Sequence, residues 1–250
     1  MMDSIWSMSY DIALMSACEA DNGGSQNVFQ RIGSLFSKAA GFFLSLIKTI
    51  RKKISDAIRH CKMAMANKSK DEGYSGSASP ENKKKLDAYL PKLNMTIVDI
   101  GSMCNYFERN IGDIFKDGGA EGLADTAETG GEYVKKDIPA IHEMVKWLKT
   151  DKPKFGRAEL KRVLDHLMTI DRKCASLTEL LNKLANPQYM QQMMAKHKSD
   201  SGESIDASDL QKAQNLVVSK ISSFLKPLVA VTNEAIDALV SAILSVKKDK

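Results

Sequence analysis

Three observations predict an all-α fold, a helical bundle carrying an N-terminal basic amphipathic helical arm. Apolar residues recur at three- and four-residue spacing along most of the chain. No segment alternates apolar and polar residues as a half-buried strand does. Aromatic residues make up only 6% of the 250, with six prolines, a poor stock for a β-sandwich or barrel. The rest of the composition, 43% hydrophobic and 27% charged, is that of a folded soluble protein. The length allows one large domain or two small ones.

The elements follow in order. Ser4 to Ala20 places Ile5, Met8, Ile12, Met15 and Cys18 at helical spacing and predicts a leader helix. Asn27 to about Asn67 predicts a long basic amphipathic helix, so residues 1–66 form an acidic leader plus a basic arm. Residues 67–80 (NKSKDEGYSGSASP) are polar and Gly/Ser-rich and predict a flexible linker. Ser79-Pro80-Glu81 then reads as a helix start: Ser as N-cap, Pro in the first position, an acid in the first turn. That helix carries Leu86, Leu90, Leu93, Ile97, Ile100, Cys104 and Phe107 towards Phe115, with a kink expected at Pro91. Five glycines in 116–132 predict a loop with about one helical turn. Glu132–Lys149 and Arg157–Asn186 predict further helices, the second stopped by Asn186-Pro187. A short helix should carry Met190, Met193 and Met194. Residues 198–206 (KSDSGESID) predict a second linker. A last helix should run from Asp206 or Ser208 to about Lys247, bent at Pro227. Residues 81–250 are thus expected to form the main bundle.

The net charge of +5 is unevenly placed. Residues 1–26 hold four acids and no Lys or Arg. Residues 27–68 hold nine Lys and Arg against Asp56, a net +8, and the remaining 182 residues sum to +1. Such asymmetry speaks of partners rather than of fold.

Several chemistries are excluded by spacing. Cys18, Cys61, Cys104 and Cys174 are widely spread with no C-x-x-C pair, which predicts free thiols in a reducing compartment. His60, His142, His166 and His197 never come within four positions of one another, and neither H-E-x-x-H nor an EF-hand loop is present, so no metal is expected. Gly73-Tyr74-Ser75-Gly76-Ser77 misses the nucleophile-elbow pattern by one position and sits in the linker. No phosphate-binding glycine loop follows a strand. Asp165-His166 and His142-Glu143 read as surface pairs. No cofactor, no catalytic residue and no enzymatic activity are expected. The acidic start is unlike a secretory signal. Ala39–Ile47 is too short to span a bilayer, and Pro227–Val246 is interrupted by Asn233, Glu234 and Asp237, so no transmembrane helix is expected. These features predict an intracellular, reducing location.

The strongest signal is Asn27–His60. Phe29, Ile32, Phe36, Ala40, Phe43, Ile47, Ile50 and Ile54 form an apolar stripe. Arg31, Lys38, Ser45, Lys52 and Arg59 recur every seven residues opposite it, and Lys48, Arg51, Lys52 and Lys53 cluster in the second half. Three readings fit this pattern: a core helix with a basic outer face, an interfacial helix on an anionic membrane, or a helix that docks on a protein or nucleic acid. The candidate binding residues are Phe29, Ile32, Phe36, Phe43, Ile47, Lys48, Arg51, Lys52 and Lys53. Burying the phenylalanines would drive membrane or partner binding and the cations would steer it. Pore formation through residues 27–60 belongs to the membrane reading. Nucleic acid ranks third, as a non-specific partner, because the aromatics are not interleaved with the cations. The oligomeric state is left open.

Tyr10-Asp11-Ile12-Ala13 through Glu19-Ala20-Asp21, then Asn27-Val28-Phe29-Gln30-Arg31-Ile32 leading into the aromatic-basic helix, resembles the small helical internal-head and virion structural proteins of large tailed bacteriophages. The resemblance covers about the first quarter of the chain. It implies packaging, assembly or injection with a genome, and trimming by a phage protease after a small-residue-x-Glu signal. Ala17-Cys18-Glu19 fits that signal and marks Glu19 as a processing position. Ser79-Pro80-Glu81, Gly119-Ala120-Glu121, Gly130-Gly131-Glu132 and Ser201-Gly202-Glu203 fit it as well.

Overall fold

A computed structural model describes residues 28–68, 79–115, 119–201, 216 and 222–245. Among the described residues the chain is all-α, as expected, with no strand. The helices are α1 (Val28–Lys68), α2 (Pro80–Asn110), α3 (Gly119–Lys135), α4 (Ile138–Thr150), α5 (Arg157–Leu184), α6 (Pro187–Ser201) and α7 (Ser222–Ser245), with a 3-10 turn at Ile111–Phe115. The leader Ser4–Ala20 and most of the expected linkers, residues 69–78 and 202–206, lie outside the described residues.

Helix ends follow their local chemistry. Ser79 caps α2, its carbonyl accepting from the Lys83 amide at 3.0 Å and its Oγ from the Asn82 amide at 3.4 Å. Asn186 ends α5 and caps α6, its Oδ1 accepting from the Gln188 amide at 2.9 Å. Pro91 lies inside α2, which continues through it.

The expected loop at 116–132 is corrected. Residues 119–135 form α3, despite Gly119, Gly122, Gly130 and Gly131. Each glycine costs a helix roughly 1 kcal/mol against Ala, so local propensity opposes this element and packing has to supply it. Leu123 is buried, and Gly130 passes so close to Met103 that a Cβ there would sit 2.7 Å from the Met103 Sδ. That glycine permits the helix contact rather than breaking the helix.

The chain divides into two compact units, each assembled from three stretches of sequence. The first takes residues up to Leu44, Asn105–Thr129 and Leu180–Ser223. Its core includes Leu35, Phe36, Ala39, Phe43, Phe107, Ile111, Leu123, Leu181 and Met190. The Ser37 hydroxyl donates to the Ala185 carbonyl at 2.6 Å, satisfying a carbonyl just past the end of α5. The Glu108 carboxylate accepts from Lys183 Nζ at 2.5 Å and from the Tyr189 hydroxyl at 3.0 Å, tying α6 to α2 and α5.

The second unit takes Ser45–Cys104, Gly130–Glu179 and residues from Phe224 on. Ile47, Ile50, Ile54, Ala57 and Cys61 of α1 are all 0% exposed. They share this core with Leu86 to Ile100 of α2, Ile141 and Met144 of α4, Leu160 to Cys174 of α5 and Leu228 to Ile243 of α7. Tyr89, Trp147 and Phe155 stack in tilted and edge contacts at 6.2 Å, and the Lys85 ammonium lies 5.5 Å over the Trp147 ring. A polar pair lies within the apolar packing: the Thr96 and Thr232 hydroxyls lie 3.2 Å apart, fully buried, each with a carbonyl of its own helix in reach. Within α7 the stretch Pro227–Leu244 is long and apolar enough to cross a membrane, and 56% of it is buried inside the protein.

Of the arm expected at 1–66, residues 1–27 lie outside the described residues, and the part from Ser45 on shares a unit with later helices. From Ser45 onward α1 is an interior wall of the second unit. An apolar stripe of that width has to be covered, and helices later in the chain cover it.

Candidate functional site

The amphipathic pattern of α1 sorts its side chains cleanly. Of the nine candidate residues, Phe36, Phe43 and Ile47 are buried at 8%, 4% and 0% exposure. The side chains of Phe29 and Ile32, and Glu19, lie outside the described residues. Phe43 packs edge-on against Phe42 with ring centroids 5.4 Å apart. The apolar half of the expected binding face, where described, is therefore core.

The basic half divides in two. Arg51 and Lys53 flank the core and are paired. Arg51 Nε donates to Asp171 Oδ1 at 3.2 Å, and Lys53 Nζ to Asp237 Oδ2 at 2.7 Å. These partly exposed pairs contribute little stability individually but fix the rotation of α1 against α5 and α7. Lys48, Lys52, Arg59 and Lys62 are exposed. Among the described residues Lys48, Lys52 and Lys62 have no ion-pair partner, while Arg59 holds its own neighbour Asp56 at 3.0 Å. At 100° per residue these four, with the exposed Ser55 between them, lie within an arc of about 80°. At 1.5 Å per residue they run for about 21 Å along the helix. The result is a cationic stripe along a core-anchored helix, without an exposed aromatic residue in it.

A second charged stripe lies on α3, in the stretch where five glycines predict a loop. On α3 the acids Glu121, Asp125, Glu128 and Glu132 are exposed. Their spacing of four, three and four repeats that of Lys48, Lys52, Ser55 and Arg59 on α1. The helical recurrence of those acids was the one signal that could have revealed the element.

The remaining titratable groups are dispersed. Among the described residues no three His, Cys, Asp or Glu converge as a metal site would require. Burial, with Arg162 adding to it, lowers the His166 pKa against the opposing pull of Asp165 and Asp87. Burial pushes the Cys61 thiol up to about 11, and Cys104 and Cys174 to about 12. The Cys61 Sγ lies 3.0 Å from the Leu160 carbonyl, a structural contact between α1 and α5. Such thiols stay protonated at neutral pH and are poor nucleophiles.

No protein-family model matches the chain, and no curated protein and no solved structure shows significant similarity to it. Among the described residues the fold is helical and carries an exposed stripe of cations on α1.

Proposed function

We propose that the chain is a non-enzymatic helical assembly protein, and that the exposed stripe of Lys48, Lys52, Arg59 and Lys62 docks it on an acidic protein surface. The observation that carries this reading is the division of α1 itself, with its apolar side sealed in the core and its cations aimed at solvent. The resemblance of the first quarter to virion structural proteins of tailed phages supports a role in packaging or assembly. Membrane binding would have drawn its main free energy from the phenylalanines. With Phe36 and Phe43 buried, lipid could offer these residues only about 1 kcal/mol per cation at best. Nucleic acid would meet the same cations with no exposed aromatic ring in the stripe for its bases to stack on.

The test is binding of the full chain to three probes: an acidic polypeptide such as polyglutamate, anionic vesicles containing phosphatidylserine, and duplex DNA. Polyglutamate should bind at low salt and dissociate as ionic strength rises. Binding should fall at least tenfold in the triple variant Lys48→Glu/Lys52→Glu/Lys62→Glu with the helical circular dichroism unchanged. Equal binding by that variant would refute the reading. Vesicle binding that survives high salt would return the function to lipid.

A further inference from the structure

We infer that the acidic surface met by the α1 stripe is α3 of a second copy of this chain, so that the protein self-associates through α1 of one molecule and α3 of the next. This rests on the docking role proposed for the stripe and names its partner. Three observations lead to it. First, both stripes are exposed and lie on helices fixed to a core: α1 through Ile50, Ile54 and Cys61, α3 through Leu123 and the close approach of Gly130 to Met103. Neither helix has to be formed on binding, so the ordering cost falls on the charged side chains and not on the backbone. Second, the charges are opposite and nearly pure. The α3 stripe contains no cation before Lys135 at its end, and the α1 stripe contains no acid except Asp56 beside Arg59. Third, the spacings coincide. Lys48, Lys52, Ser55 and Arg59 fall at the same offsets as Glu121, Asp125, Glu128 and Glu132. Two helices side by side can therefore bring Lys48, Lys52 and Arg59 each opposite an acid, with the small Ser55 opposite Glu128. Lys62 extends the cationic stripe by almost one further turn, giving it about 21 Å against about 17 Å of acids.

A contact of this kind joins two different patches. It builds a ring where the rotation between copies closes and a filament where it does not. Each copy retains one unused stripe at an open end, which suits an assembly protein. Because the contact is electrostatic and lies at the surface, it should be weak singly and sensitive to salt.

The experiment is sedimentation velocity on the full chain across a concentration series, at about 50 mM and about 500 mM salt, conditions that differ several-fold in screening length. Wild type should form species heavier than the monomer at low salt and return to monomer at high salt. Lys48→Glu/Lys52→Glu and Asp125→Lys/Glu132→Lys should each be at least tenfold weaker in self-association. Mixing the two reversed variants should restore association, since each junction between unlike copies pairs opposite charges, and the quadruple variant carrying both reversals should recover association as well. Circular dichroism on each variant excludes unfolding as the cause. A wild type that is monomeric at low salt overturns the inference, and if it still binds polyglutamate through the α1 stripe, the docking role stands without it. Association that persists in Asp125→Lys/Glu132→Lys but is lost in Lys48→Glu/Lys52→Glu also overturns the assignment to α3. A quadruple variant that fails to recover while remaining folded does the same.

Discussion

Among the described residues, Glu159 is a buried carboxylate whose surroundings do not match its chemistry. It lies in the first turn of α5, where a carboxylate gains from the helix dipole, yet it is only 2% exposed and neither carboxylate oxygen has a hydrogen-bond partner. A buried polar group without a partner costs about 1–3 kcal/mol, and more if charged. The helix terminus returns about 0.3–1 kcal/mol of that. Replacing the side chain with one of equal length and no polar atoms removes both contributions. Glu159→Met is therefore expected to stabilise the protein by about 1–2 kcal/mol. Glu159→Gln, which keeps polar atoms in the same apolar surroundings, should change stability by less. The measurement is equilibrium urea unfolding followed by far-ultraviolet circular dichroism, with the slope checked for constancy so that the midpoint shift reports stability. A Glu159→Met protein about 1 kcal/mol or more less stable than wild type would refute the reasoning. It would mean that the carboxylate holds an interaction an apolar group cannot replace.

Other expectations follow from single features. Lys152, in the turn between α4 and α5, has a φ of 45° and is the one non-glycine residue with positive φ among the described residues. Lys152→Gly should raise stability by about 0.5–1 kcal/mol in the same urea assay, through relief of the left-handed strain. Burial pushes the Glu108 carboxyl up, but hydrogen bonds from Lys183 and Tyr189 and the charges of Lys183 and Arg109 outweigh it and hold the pKa below the ordinary value. A depressed carboxylate stabilises the fold above its unfolded pKa of about 4.3 and loses that contribution as pH falls through the lower folded value. The stability gap between wild type and Glu108→Gln should accordingly be full at neutral pH and vanish in acid, as unfolding curves taken across that range would show. Cys61, Cys104 and Cys174 should resist a thiol-specific chromogenic reagent in the native protein and react at once in denaturant. Rapid native labelling of any of the three, located by mass spectrometry, would contradict their burial.

The core was largely legible where periodicity was strong. On α5 the spacing marks Leu160, Val163, Leu164, Leu167, Ile170, Cys174, Leu177, Leu181 and Leu184, and all but Leu164, which is half-buried, lie in the core. On α2 the same holds from Leu86 to Phe107. Periodicity reports that a face is apolar, however, and says nothing of what covers it. For that reason Phe36, Phe43 and Ile47 could be read as a membrane or partner face, when helices far along the chain enclose them. The glycine-rich stretch that forms α3 was missed for the opposite reason. Its local preferences oppose a helix, and the contact of Gly130 with Met103 is visible only in three dimensions. The cationic side of α1 was recognised from sequence, but the pairing of Arg51 with Asp171 and of Lys53 with Asp237 spans 120 and 184 residues and left no local trace.

The passage from Lys68 to Ser79 joins two pieces of one hydrophobic core, since Ser45–Lys68 and Pro80–Cys104 belong to the same unit. Covalent continuity there supplies an effective concentration on the order of millimolar. Residues 1–68 and 79–250, made as separate polypeptides, are therefore complementary fragments. Ile47, Ile50, Ile54, Ala57 and Cys61 on the first have their counterparts on the second, and each fragment alone exposes a surface that only the other fits. A break in the backbone at this place would leave a noncovalent heterodimer in place of two independent domains, so the protein can be divided for fragment reconstitution at a point where its sequence looks like a domain boundary.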